Sequence, residues 1–189
     1  MRQATPGTGL VYQLKITLLE VEPPVWRRLR VAGSFTLERL HTVIQKAMGW
    51  QNAHLYEFKV RGRRYGVPEP DEPHYQVEPV WKITLREAAP AEGLSFPYVY
   101  DLGDNWTHEV LVERLETPSK PLRHPVCLAG ERRCPPEDCG GFTGYANFLE
   151  AIRDPDHPEH EDLLNWVGGL FDPEAFDLAA VNRKLRLLK

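Results

Sequence analysis

Two short runs in this chain of 189 residues carry side chains that can bind a metal or move a proton. The first is Asp101-Leu102-Gly103-Asp104-Asn105-Trp106-Thr107-His108, in which two carboxylates and an imidazole flank a turn. If the turn folds them together, they can share a divalent cation or act as an acid–base pair. The second is Pro135-Pro136-Glu137-Asp138-Cys139-Gly140-Gly141, which adds two carboxylates. An enzyme reading places Asp101, Asp104, His108, Glu137 and Asp138 around one cleft for metal-assisted or acid–base hydrolysis. It requires the two runs to converge. A local reading stands beside it. Asp104 and Asn105 are turn formers, and His108 shares a strand face with Trp106, Val110 and Val112 as a hydrogen-bonded residue near the core. Glu137 and Asp138 then sit near the positive end of the following helix.

The three cysteines, Cys127, Cys134 and Cys139, are an odd number within thirteen positions, which fits reduced thiols or metal ligands better than a disulfide framework. With His124 they offer three sulfurs and one nitrogen, a donor set for a closed, structural zinc site. Only Cys134-x4-Cys139 has the usual ligand spacing, and a Cys-x2-Cys pair is absent. Buried thiols serving as small apolar residues are the other reading. A thiol nucleophile is disfavoured, because Glu137 and Asp138 beside Cys139 work against the thiolate.

The formal charge of -4 conceals a segmental asymmetry. From Trp26 to Arg64 nine basic residues face two acidic ones, whereas from Tyr65 to Leu122 four basic residues face eleven acidic ones. Arg27, Arg28, Arg30, Arg61, Arg63 and Arg64 could present an anion-binding surface to an anionic or protein partner, nucleic acid included. Alternatively, folding sets the two segments side by side and their charges pair. No apolar run approaches the length of a spanning helix, and Met1 to Leu10 lacks the apolar stretch of a secretory signal, so no membrane partner and a cytoplasmic location are expected.

The elements that must position these residues are legible from periodicity. Tyr12, Leu14, Ile16 and Leu18 alternate with polar residues, which predicts a strand. Val25 to Val31 predicts its hairpin partner, with Val25, Leu29 and Val31 facing the core. Leu37, Leu40, Ile44 and Met48 recur at helical spacing, with Ser34 or Thr36 as N-cap and Gly49 as the stop. Leu55 to Val60 and Arg63 to Gly66 predict short strands, and the proline- and acid-rich stretch from Val67 to Val80 an exposed loop. Phe96 to Leu102 and Trp106 to Leu115 predict a hairpin turning on Gly103, Asp104 and Asn105. Three helices should follow: one carrying Phe142, Tyr145, Leu149 and Ile152, one from Pro158 to Gly168-Gly169, and one capped by Asp172-Pro173. The acidic, histidine-bearing run Asp154 to Asp162 fits a solvated cap.

Strands come early and helices late, so the fold class is α+β: an antiparallel sheet with one helix from the N-terminal half packed on it and a C-terminal helical cluster. Hydrophobic residues make up 42% of the chain, enough for a packed core, and its length suits a single domain over 1–189. Disorder, collagen-like and coiled-coil builds are excluded. Seventeen prolines and fourteen glycines imply many turns.

Several blocks, taken in order, carry a resemblance. They are Pro24-Val25-Trp26-Arg27-Arg28, Met48-Gly49-Trp50, His54-Leu55-Tyr56-Glu57-Phe58, Tyr98 through His108, Pro135 to Gly141, His157-Pro158-Glu159-His160 and Phe171-Asp172-Pro173. With them the chain resembles the plasmid pRiA4b ORF-3-like family, whose members also bear a TnpR-like name as insertion-element passengers. The resemblance implies a small α+β protein of plasmids, mobile elements and chromosomes, and it implies no reaction. The chain has no serine-recombinase block and no helix-turn-helix, so strand cleavage is not assigned. The leading expectation is a non-catalytic binding or accessory module, and a metal-assisted or acid–base hydrolase is the alternative.

Overall fold

The computed structural model describes residues 9–69 and 74–188. The alternating N-terminal segment forms β1 (Val11–Leu18), which turns back into β2 (Val25–Ala32) in register from Val11 opposite Ala32 to Leu18 opposite Val25. Leu14, Ile16, Leu29 and Val31 are all fully buried on its inner face. Arg27 shares that face and is buried with them, which alternation alone could have indicated, since it lies two residues from both Val25 and Leu29.

Helix α1 (Leu37–Met48) begins where Thr36 Oγ1 accepts the Arg39 N–H at 3.2 Å and ends at Gly49, whose φ of 108° needs a residue without a Cβ. It buries Leu37, Leu40, Val43, Ile44, Ala47 and Met48, and each of the larger aliphatic side chains contributes about 1.5–3 kcal/mol. His41 and Gln45 are buried on the same helix.

β3 (Tyr56–Val60) and β4 (Arg63–Gly66) follow as expected. The acid-rich loop differs from expectation at its end: Glu78–Pro79 forms a short strand, β5, parallel to β4, and residues 70–73 lie outside the described part. A 3-10 turn over Val80–Lys82 and a short helix, α2 (Leu85–Ala88), were not evident from periodicity, because each is too brief to show one. β6 (Ser95–Tyr100) and β7 (Trp106–Glu116) form the expected hairpin.

The cysteine-bearing segment supplies a further strand, β8 (Val126–Glu131), antiparallel to β2. The single sheet has the order β5-β4-β3-β6-β7-β1-β2-β8. It is antiparallel apart from the β4–β5 pair, so the fold is α+β with a mostly antiparallel sheet.

After β8 come α3 (Gly141–Arg153), α4 (His160–Trp166) and α5 (Leu178–Arg186). Helices α3 and α4 pack on each other, whereas α5 lies against β8 and α1 instead of joining them. The last helix also starts later than expected. Asp177, not Asp172-Pro173, is its cap, its Oδ1 accepting the Ala180 N–H at 2.8 Å. Among the described residues no helix is long and apolar enough to cross a membrane.

Candidate functional site

Five residues after the Gly49 stop, the chain places His54 at the foot of β3, and each intervening position is tied down. Trp50 Nε1 donates to Pro135 O at 3.0 Å, Gln51 N to Glu137 Oε1 at 2.7 Å, Asn52 N to Gln45 Oε1 at 3.0 Å and Ala53 N to Tyr100 Oη at 3.0 Å. Asn52, itself exposed, closes a ring of polar groups with the buried His41, Gln45 and Tyr98. Its Oδ1 lies 2.5 Å from His41 Nε2, His41 Nδ1 lies 2.7 Å from Tyr98 Oη, and Gln45 Nε2 donates to that same hydroxyl at 3.1 Å. Since Asn52 Oδ1 can only accept, His41 carries its proton on Nε2 and the Tyr98 hydroxyl donates to Nδ1. Burial pushes His41 down to about 4, so the ring stays neutral; its face stacks on Tyr56.

Asp101 ends β6 with a φ of 56° and initiates the hairpin turn. Its Oδ1 accepts the N–H groups of Gly103 at 2.9 Å and Asp104 at 3.2 Å, which leaves Oδ2 facing His54 Nε2 at 3.6 Å. The Asp101 N–H donates to Leu55 O, fastening the turn to the His54 segment. From the other side comes the loop before α3. Glu137 is held by Gln51 N and by the Tyr100 hydroxyl, which donates to its Oε1 at 3.0 Å, and its Oε2 lies 3.7 Å from His54 Nε2. Asp138 Oδ1 is 3.1 Å from the same nitrogen.

His54 Nε2 is thus surrounded by three carboxylates. The nitrogen is buried, yet no hydrogen bond forms to any of them: Asp101 and Glu137 are too distant, and Asp138, though near enough, is not hydrogen-bonded to it. Among the described residues no Lys or Arg forms an ion pair with Asp101, Glu137 or Asp138, so the negative charge is left largely uncompensated. One donor atom each from His54, Asp101 and Asp138 lies within 4.8 Å of the others, the only such grouping among the described residues.

Of the residues singled out in the sequence, Asp101, Asp104, Glu137 and Asp138 are brought together. Asp104 Oδ2 accepts the Gly140 N–H at 3.2 Å, joining the hairpin turn to the loop. His108 stands apart. It is fully buried on β7, its ring edge-on to Trp50 at 5.2 Å, and burial pushes it down to about 4. His54, not His108, stands beside the carboxylates. The available signal was its place heading the block His54 to Phe58, with no neighbouring acid to mark it.

The proposed zinc set of His124, Cys127, Cys134 and Cys139 is not gathered by the fold. Cys127 lies in β8 with its thiol donating to Ala129 O, and His124 Nδ1 contacts its neighbour Pro125 O. Burial is the first cause in raising Cys127 and Cys134 to about 11 and Cys139 to about 12; Asp104, Asp138 and Asp101 add to the last.

The arginines likewise do not form one anion surface. Arg27 donates to the backbone carbonyls of Trp26, Ala47, Glu131 and Arg132. Arg28 pairs with Glu113, Arg30 with Glu116, Arg63 with Glu78 and Arg64 with Glu57, while Arg61 sits exposed in the β3–β4 turn. Arg28 and Arg30 on β2 reach across β1 to Glu113 and Glu116 on β7, and Arg63 on β4 meets Glu78 on the adjoining β5, so the basic and acidic segments pair within one sheet.

Comparison with known proteins places this arrangement in a family. A family model described as "Plasmid pRiA4b ORF-3-like protein" matches residues 10–180. The chain is 40% identical over 175 residues to "Uncharacterized protein y4hQ" of Sinorhizobium fredii (strain NBRC 101917 / NGR234), covering 92% of this chain and 89% of that protein. The crystal structure of the protein of unknown function MM3350 from Methanosarcina mazei Go1 superposes with a TM-score of 0.81 at 32% identity, covering 97% of this chain and 99% of that one.

Proposed function

For this chain, which belongs to the plasmid pRiA4b ORF-3-like family, we propose that the cleft between the Asp101 turn and the Glu137-Asp138 loop is a divalent-metal site for hydrolysis. The observation that carries the reading is His54 Nε2, buried and facing three carboxylates at 3.1–3.7 Å without a hydrogen bond to any. Ligands around a shared cation aim at a common point, whereas a hydrogen-bond network aligns donors on acceptors. His54, Asp101 and Asp138 offer one imidazole nitrogen and two carboxylate oxygens, a set suited to zinc or another first-row dication. Three protein ligands leave further positions open, as catalytic sites require.

When bound, such a metal polarises a carbonyl or phosphoryl oxygen and makes water a nucleophile near neutral pH. The chain's own contribution is orientation and proton transfer. Glu137 is the general base: Gln51 N fixes its Oε1, the Tyr100 hydroxyl sits 3.0 and 3.2 Å from its two oxygens, and its Oε2 lies 3.7 Å from His54 Nε2. Burial raises Tyr100 well above its ordinary value, so its hydroxyl keeps its proton and donates to Glu137. Asp101 and Asp138 supply negative charge that draws the cation in, and the hydrogen-bonded ring through His41 and Asn52 holds the His54 segment in place.

The arginine surface supports no competing reading, since Arg27 is buried and Arg28, Arg30, Arg63 and Arg64 are paired. The continuous apolar core, which runs from β1 to α5, supports one domain built around this cleft. Three unpaired thiols suit a reducing cytoplasm.

Titration of chelator-stripped protein with Zn²⁺, Mn²⁺ and Co²⁺ tests the proposal. One equivalent should bind, and Asp101→Asn or His54→Ala should weaken binding by more than about 100-fold, the upper range for removing a mere supporting group. Glu137→Gln should keep the metal and lose hydrolysis. Binding that is absent, or indifferent to His54→Ala, would sink the proposal.

A further inference from the structure

Two cavities adjoin the candidate centre, of about 390 and 430 Å³, each within the range that encloses a small ligand. Both are lined by Asp138 and Trp166, so they meet at a proposed metal ligand and at an indole that is 48% exposed. Their other walls differ in charge. The first adds Glu137, already bonded to Gln51 N and Tyr100, and Arg133, exposed, with its guanidinium 4.5 Å over the Phe171 ring and without an ion pair among the described residues. The second holds Glu150 and Glu159, both exposed and without ion pairs among the described residues, beside Phe148 and Leu163. A molecule lying against Asp138 therefore meets a cation on one side, carboxylates on the other and apolar surface between.

We infer that the substrate is a short peptide with both termini free, its carboxylate at Arg133, its chain crossing Trp166 and its amino group towards Glu150 and Glu159. This rests on the metal-site reading and deepens it. A phosphate ester would use Arg133 and leave Glu150 and Glu159 without a partner, and a neutral sugar would use neither charge. A zwitterion uses both, and Phe148, Leu163 and Phe171 fit apolar side chains.

The reaction is amide hydrolysis. Water's oxygen bonds to the carbonyl carbon as Glu137 takes its proton, the C–N bond breaks, and Glu137 returns that proton to the leaving nitrogen. The products are a carboxylic acid and an amine, which ionise to carboxylate and ammonium, with no oxidant or reductant involved.

The test uses the full chain loaded with Zn²⁺ and the peptide Ala-Leu-Ala in free, N-acetylated and C-amidated forms, with binding followed by calorimetry and tryptophan fluorescence. Each blocked end should weaken binding about 10-fold, the usual scale of one charge-assisted contact. Arg133→Gln should weaken the free peptide about 10-fold and abolish its advantage over the amide. The double variant Glu150→Gln, Glu159→Gln should do the same for the acetylated form. Zn²⁺ titration of these variants, whose substitutions are exposed, should match the wild type. Equal affinity for free and blocked peptides, or no peptide binding by zinc-loaded protein, overturns the inference and leaves the metal site standing. Failure of the wild type to hold zinc overturns both.

Discussion

Asp104 and Gly140 join two distant parts of the chain: the Asp104 carboxylate accepts the Gly140 N–H at 3.2 Å, closing the β6–β7 turn onto the loop that leads into α3. The approach is close enough that a Cβ on Gly141 would lie 2.6 Å from the Asp104 carbonyl oxygen, at a φ of 67° that disfavours any side chain. Asp104 is thus a clasp between the segment carrying Asp101 and the one carrying Asp138.

The clasp can be tested without touching a ligand. Asp104→Ala should lower metal affinity by about 10-fold or more, as loss of a supporting contact does, and Gly141→Ala should lower it further by forcing the two segments apart. Isothermal titration with Zn²⁺ measures both. Unchanged affinity in Asp104→Ala would show that the loop reaches the turn without this bond.

Buried imidazoles should make stability depend on pH. His41 and His108 are pushed down to about 4, against an ordinary value near 6.5 in the unfolded chain. Between those values the unfolded chain takes up protons that the folded chain refuses. Stability is therefore full above about pH 6.5, falls as pH drops towards 4, and loses up to roughly 3 kcal/mol for each histidine. Denaturant melts from pH 7 to 4 should show this slope, and His108→Gln should remove about half of it.

Arg27 should behave as a core residue. Its guanidinium satisfies carbonyls from Trp26, Ala47, Glu131 and Arg132 and stacks on Phe176 at 4.5 Å. Arg27→Ala leaves those acceptors without their donor and should cost about 3 kcal/mol or more, and Arg27→Lys, lacking the planar fork, should recover little. Arg28→Ala, which breaks a partly exposed pair with Glu113, should cost about 1 kcal/mol or less. Urea unfolding distinguishes the two.

The thiols should be sluggish. With Cys127 and Cys134 raised to about 11 and Cys139 to about 12, fewer than about one in a hundred is thiolate at pH 8. Labelling by a disulfide reagent should be slow in the native protein and rapid in denaturant. Rapid labelling of the half-buried Cys139 in the native state would contradict the raising of its thiol by partial burial and Asp104.

What the linear order determined was local. The alternation of Tyr12 to Leu18, the helical spacing from Leu37 to Met48 and the Asp-Asn turn after Tyr100 each follow from side chains a few residues apart, where period and turn chemistry act directly. The convergence of Asp101 and Asp104 with Glu137 and Asp138 could be posed from residue types alone, but not decided. Tertiary structure decided which histidine joins them. His108 lies on the inward face of β7 and is sealed under Trp50, whereas His54, in a segment with no periodicity, is delivered by bonds to Gln45, Tyr100 and Glu137 from three other elements. The pairing of the arginines was hidden for the same reason: the placing of β1 between β2 and β7, which lets Arg28 reach across it to Glu113, is a long-range choice of order and register, set by which apolar faces bury together.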